Sequence, residues 1–313
     1  MIRFDQGNRH AVYRVSYIAR SGEGADAVVR VSFSGSDVDR AQACLEAAVL
    51  TKVGGVAGPA LYDFHDESPW FPTPVMCLQF VDGHSRQLAL VSPAHIQALG
   101  SVVAWLHEQS TEDLDEHFRS NNAIGSYADA RLHSILETLS WVRDPLPTAA
   151  QDQLHKAAKR LQTAWPQQRE SEAFASGEQL ALLHGDIGPG NVLWTPAPIL
   201  IDWEYARIGD PADEIAYLFD QNGLTAEQRD LFWRGYRGGV HVRNHEHVIE
   251  RATWWAPLTL LGSTLWWVQR YVRRADAEVA GTDDSEAPRE PSYYLDQLTM
   301  RLDRLNSQLT KTS

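Results

Sequence analysis

The chain has 313 residues, 43% hydrophobic and 22% charged, an ordinary globular composition with length enough for one large domain or two lobes. Its net charge of −13 argues against a nucleic-acid partner, which would need clustered Lys and Arg; solubility is its first explanation and a cationic small substrate its second. Cys44 and Cys77 are too few for a disulfide framework, and the opening Met1-Ile2-Arg3-Phe4-Asp5 lacks the apolar run of a secretory signal, so reduced thiols and a cytoplasmic location are expected.

The first third reads as strands around one helix. Ala11 to Tyr17 alternates apolar and polar residues, and Ala27 to Phe33 is a second strand with Arg30 in its middle. From Asp37 to Val53 the period turns helical, with Asp37 and Asp39 at the start and Leu45, Val49 and Val53 on one face. Further strands are expected at 60–64 and 75–80, the latter ending in the turn Val81-Asp82-Gly83.

Helices dominate after Gly83. Ser92-Pro93 opens one, as cap and first-turn proline, and Arg131–Val142 and Ala149–Trp165 read as two more. Short strands are expected at Leu180–His184, Val192–Trp194 and Ile199–Trp203. Thr225 with Gln228 forms a capping box. The apolar stretch Trp254–Val268 is 15 residues long and interrupted by Pro257, shorter than the ~20 needed to span a bilayer, so it reads as a core helix and no membrane partner is expected. Gly281 to Pro291 reads as an exposed loop. Ser292 then caps a last helix whose Leu295, Leu298, Leu302, Leu305 and Leu309 form a packing stripe. The order, a strand-rich part followed by a helical part, predicts an α+β fold.

Chemistry concentrates in His184-Gly185-Asp186-Ile187-Gly188-Pro189-Gly190-Asn191 and the following Ile199-Leu200-Ile201-Asp202. Phosphoryl transfer asks of a protein mainly a carboxylate to orient the attacking hydroxyl, oxygen ligands for a metal, and cations for the phosphates. Asp186, in a Gly/Pro-rich loop after a strand, suits the first role; Asn191 offers a neutral oxygen ligand for Mg²⁺, and Asp202, at the end of an apolar strand, could project into the same cleft. Glu204 would share a side with Asp202 if that strand continues. An Asp and an Asn so spaced are common and carry little alone; it is the combination in one short span that points to this chemistry. His184 is expected to brace the loop. The spacing is not that of a zinc site, and His241, His245 and His247 read as a polar surface segment. Arg30 has two readings, a water-facing strand position or a phosphate clamp held by Glu46. Gly7-Asn8 is the only, weak, candidate for a phosphate-covering loop. Trp254, Trp255, Trp266, Trp267 and Tyr271 read mostly as core, with one or two available to line a pocket, where Asp213, Glu214, Asp220 and Glu250 could meet substrate amines.

With these residues the chain resembles the aminoglycoside phosphotransferase and choline kinase-like superfamily from about Gly7 to at least Phe219. Ile201-Asp202-Trp203-Glu204-Tyr205-Ala206 followed by Gly209-Asp210-Pro211 is the most typical run. The resemblance implies a bilobal protein-kinase-like fold, with a small β-rich nucleotide-binding lobe at 1–82 and a larger helical lobe at 83–313 carrying the catalytic loop and acceptor pocket. It implies Asp186 as catalytic base; Asn191, Asp202 and Glu204 at Mg²⁺; and Arg30 with its helix partner Glu46 at the phosphates of ATP or another nucleoside triphosphate. Gln79, Phe80 and Val81 would form the adenine-binding hinge, and Asp210 would fix the loop structurally. The expected acceptor is a hydroxylated small molecule, an aminoglycoside-type or related antibiotic first and choline, thiamine, a sugar or an amino alcohol second, in a monomer or homodimer. Intact Asp186, Asn191 and Asp202 speak against a binding-only pseudokinase. The seven residues between Asp202 and Asp210 leave no room for the activation segment of a regulated protein kinase.

Overall fold

The computed structural model describes residues 1–4, 10–19, 21–68, 70–86, 90–114, 123–174, 179–239, 245–280 and 289–311. Gly7-Asn8, His241 and residues 281–288 of the expected acidic loop lie outside them. The chain forms two compact units from interleaved segments: Met1–Ser120, Ala181–Ile208 and Gln221–Arg243 in the first, Asn121–Leu180, Gly209–Asp220 and Asn244–Ser313 in the second. Both sides of the expected 82/83 division fall in the first unit.

The first unit begins with strands β1 (Ile2–Phe4), β2 (His10–Ile18) and β3 (Gly24–Ser32), helix α1 (Asp37–Val53), and strands β4 (Leu61–His65) and β5 (Val75–Gln79). They build an antiparallel sheet in the order β1-β2-β3-β5-β4. Arg30 therefore sits on the central strand, 9% exposed, and the water-facing reading of it is excluded. Ser36 caps α1 by accepting from the Asp39 backbone N–H, and Asp37 and Asp39 lie at the positive end of the helix dipole. Strand β6 (His84–Ser85) pairs with β8 (Val192–Trp194), which pairs with β9 (Ile199–Leu200), forming a small second sheet. Helices α2 (Pro93–His107) and α6 (Ala226–Gly238) pack closely, and glycine makes this possible. A Cβ on Gly100 would overlap the Phe232 carbonyl oxygen, and one on Gly235 that of Gln97. Ser92 caps α2, and both halves of the Thr225–Gln228 capping box are formed. Strands β7 (Ala181–Leu183) and β10 (Arg207–Gly209) flank the segment that holds His184 to Asn191 and Asp202.

The second unit is helical: α3 (Ile124–Glu137), α4 (Thr148–Arg169), most of α5 (Pro211–Asn222), α7 (His245–Ala280) and α8 (Pro291–Lys311). Helix α3 starts seven residues before the expected Arg131, because its cap residue Ala123 makes no side-chain bond and leaves no sign in the sequence. Ser292 lies inside α8 rather than capping it, since Pro291 already takes the first turn. Leu298, Leu302, Leu305 and Leu309 of its stripe are buried. Asp210 is fully buried and accepts from Arg251 Nε (2.9 Å), Trp255 Nε1 (2.8 Å) and the Ala212 N–H (3.0 Å). Asp213, Glu214 and Asp220 are likewise buried. Asp213 meets Tyr127, Arg131 and Thr259, and Asp220 meets Arg301 and Arg304, so these two carboxylates serve the fold. Trp254 and Trp255 are buried as core; Trp266 is 43% exposed beneath Arg270. Among the described residues no helix is long and apolar enough to cross a membrane, and both cysteines are free thiols.

Candidate active site

The loop between β7 and β8 is fixed from three sides. His184 is fully buried; its Nδ1 accepts the Asp186 backbone N–H (3.2 Å), which leaves Nε2 to donate to the Ile201 carbonyl (3.0 Å). The ring braces the loop, as expected, and this pairing defines its tautomer. Gly185 has φ +87°, and a Cβ there would overlap the Tyr205 carbonyl oxygen, so both conformation and space require glycine. Arg207 donates to the Gly185 carbonyl (3.3 Å), and Asn222 Nδ2 to that of Ile187 (2.9 Å). Arg207 and Asn222 carry no signal in the sequence that would have marked them as loop supports.

Asp186 and Asn191 are brought together. The Asn191 amide donates to the Asp186 carbonyl (2.9 Å) and carboxylate (2.8 Å), which holds the carboxylate in place. Asp202 stands nearby, close enough for the Asp186 charge to act on it. Here the structure corrects the sequence reading: β9 ends at Leu200, Asp202 takes a left-handed conformation (φ 67°), and Trp203–Tyr205 is a 3₁₀ turn. Glu204 therefore does not reach Asp202's side by continuing a strand. It stays within electrostatic reach because the chain coils. A non-glycine residue at positive φ is strained, by about 1–3 kcal/mol, and persists where its surroundings over-determine it.

Those surroundings come from α1. Glu46, 2% exposed, forms a buried ion pair with Arg30 through one oxygen and accepts the Trp203 backbone N–H with the other (3.2 Å). Gln42, one turn earlier, donates to the Glu204 carbonyl. Trp203 is fully buried, its indole N–H on the Leu200 carbonyl (3.0 Å). The second guanidinium nitrogen of Arg30 lies 3.7 Å from the Asp202 carboxylate. Burial opposes the Arg30 charge, but Glu46 first, then Asp202 and Glu204, more than offset it, and its pKa is raised. Asp202 is pushed up to about 6, by burial first and then by Glu204, with Glu46 and Asp186 adding to it and Arg30 opposing.

The donor set suits Mg²⁺. It is all oxygen, and the Asp202 carboxyl sits among acids that a cation would relieve. Among the described residues no three His, Cys, Asp or Glu side chains close around a metal position. Gln79 ends β5, opposite Ala27 of β3, and Phe80 and Val81 follow it directly. Gln79 exchanges bonds with Ala60, donating from its backbone (2.8 Å) and accepting at its side chain (3.2 Å).

A braced loop carrying an Asp–Asn pair, a strained Asp beyond it and a buried Arg–Glu pair from strand and helix define a kinase-like phosphotransferase architecture. Residues 2–247 match the phosphotransferase enzyme family (APH), and the chain belongs to that family. Its fold is shared with the spectinomycin phosphotransferase solved with ADP and spectinomycin (TM-score 0.60, 12% identity, 95% of this chain and 94% of that one). It is shared as well with choline kinase LicA from Streptococcus pneumoniae (TM-score 0.57, 15% identity, 99% and 94%). In sequence, 51 residues are 39% identical to the protein LicA homolog of Mycoplasma capricolum subsp. capricolum; they make up 16% of this chain and span only 21% of that relative.

Proposed function

We propose that the protein transfers the γ-phosphoryl group of ATP to a hydroxyl of a small molecule. The observation that carries this reading is the Glu46 bridge, which ties the Arg30 strand to the Asp202 turn and so sets the guanidinium beside the Asp202 carboxylate. The region 1–82, with Arg30, Glu46 and the hinge Gln79-Phe80-Val81, binds the nucleotide; 83–313 supplies the catalytic loop and the acceptor pocket. Asp186 accepts the proton of the attacking hydroxyl as its oxygen bonds to the γ-phosphorus and the β–γ bridging bond breaks, releasing ADP. Asn191, held on Asp186, keeps that carboxylate oriented; its amide oxygen and the Asp202 carboxylate would hold Mg²⁺, with Glu204 adding negative charge beside them. When bound, Mg²⁺ neutralises phosphate oxygens.

Asp202→Ala should bind ATP no more tightly with Mg²⁺ than without it, whereas wild type should show a clear Mg²⁺-dependent gain by calorimetry. Equal Mg²⁺ dependence in both proteins would remove Asp202 from the metal. The acceptor is read first as an aminoglycoside-type or related antibiotic, in line with the spectinomycin enzyme's fold. The local identity to a LicA homolog favours a second reading, an amino alcohol such as choline. Both are cationic and suit the −13 charge of the chain. ADP release with Mg²⁺-ATP across aminoglycosides, other antibiotics, choline, ethanolamine, thiamine and sugars separates them. Bound nucleotide with no acceptor-stimulated ADP would overturn the transferase reading in favour of binding alone.

A further inference from the structure

The same face of the central sheet that carries Arg30 carries a second arginine. In the β2–β3 ladder Val12 stands opposite Arg30, Arg14 opposite Val28 and Ser16 opposite Asp26. Directly opposed residues share a face, as do residues two apart on a strand, so Arg14, Ser16, Asp26, Val28 and Arg30 all project to one side. Across β5, Val28 is opposite Leu78 and Arg30 opposite Met76, and Phe80 follows two residues after Leu78. The Arg14 guanidinium lies over the Phe80 ring, 4.0 Å from its centre.

Arg14 is also oriented edge-on. Its Nε donates to Asp26 Oδ2 (3.1 Å) and its Nη2 to the same oxygen; Ser16 Oγ donates to Asp26 Oδ1 (2.6 Å). These bonds, that of Arg14 first, hold the Asp26 carboxyl below the usual range. With its edge taken by Asp26 and one face against Phe80, the group still leaves its side chain 38% exposed. The result is a flat cation at the hinge, separated along β2 from the position facing Arg30. An exposed ion pair of this kind adds little to stability. A planar guanidinium does, however, stack well on aromatic rings, and a purine presents such a face.

We propose that Arg14 is a base-stacking residue of the nucleotide site: its guanidinium, held by Asp26 beside Phe80, lies on the purine ring, while Arg30 serves the phosphates. This rests on the nucleotide-binding reading above. Arg14 acts in binding and takes no part in the transfer step.

The test separates base from phosphates. Mg²⁺-ATP and inorganic tripolyphosphate are titrated calorimetrically into wild type, Arg14→Ala and Arg14→Lys at physiological ionic strength, with melting curves verifying that each variant is folded. Arg14→Ala should weaken ATP by about tenfold, the scale of a desolvated cation–π contact, and leave tripolyphosphate unchanged. Arg14→Lys, which keeps the charge and loses the plane, should recover only part of the loss. Unchanged ATP affinity in either folded variant overturns the proposal, as does an equal loss for both ligands, which would place Arg14 in the phosphate field. If wild type binds neither ligand, the nucleotide reading itself falls and takes this inference with it. If wild type binds both and only the variants behave alike, the inference alone is lost.

Discussion

Asp186→Ala should reduce acceptor-stimulated ADP release by at least about a hundredfold, the lower end of what a positioned general base contributes, while Mg²⁺-ATP affinity stays near wild type. The split is expected because of how the loop is held. Asn191 bonds the Asp186 carbonyl as well as its carboxylate, and His184 and Asn222 anchor the neighbouring backbone. Removing the carboxylate thus takes away the proposed proton acceptor and one bond, and leaves the loop fixed. The rate is read with whichever acceptor the screen identifies, the affinity by calorimetry. Turnover at the wild-type rate would take Asp186 out of the base role. Parallel loss of ATP binding would mean the side chain shapes the loop.

Glu46→Ala should be strongly destabilising. It strands the Arg30 charge at a position 9% exposed and leaves the Trp203 N–H without its acceptor. Breaking a buried pair by removing one partner costs about 3–5 kcal/mol. The Asp202 carboxylate at 3.7 Å gives Arg30 some relief, so the lower part of that range is expected. For a chain of this size that lowers the melting midpoint on the order of 10 °C. Glu46→Gln keeps an acceptor for Trp203 and should lose less. Denaturant unfolding with an unchanged slope checks that the native state, rather than the transition's cooperativity, has moved. An unaltered midpoint in Glu46→Ala would show that the pair contributes nothing to the fold.

Much of this is legible in the amino-acid sequence. Helix α1 is bounded by Asp37 and Val53 as its acidic start and apolar face imply, and the Ser92 and Thr225 caps form. Local hydrogen bonding writes itself into short stretches of sequence, and so does the two- or 3.6-residue period of a buried face. The Arg30–Glu46 pair was legible because a charge in an apolar strand needs a partner, and the resemblance pointed to the helix. What escaped reading is non-local or conformational. Nothing around Asp202 announces positive φ, since Asp is only mildly tolerant of it, and an apolar run reads as a strand until its last residue. The start of α3 has no cap residue to betray it. Arg14 was one polar position in an alternating strand; its relation to Phe80 exists only once β2, β3 and β5 are side by side. Asp213 and Asp220 looked available to a ligand, and their partners, up to 86 residues away, are set by packing alone.

Helix α1 contributes no side chain to the proposed proton transfer, yet it is the common datum from which that apparatus is measured. Through Glu46 and Gln42 it touches both the strand bearing Arg30 and the turn bearing Asp202 and Glu204. Errors in its placement are therefore shared rather than independent. A slide of the helix along its axis displaces Arg30 and Asp202 together, and no adjustment of either residue alone restores their spacing. Changes on the buried face of α1 should accordingly behave as losses of the whole site, and changes at Arg30 and Asp202 should fail to add, because each reports on a geometry that the helix fixes for both.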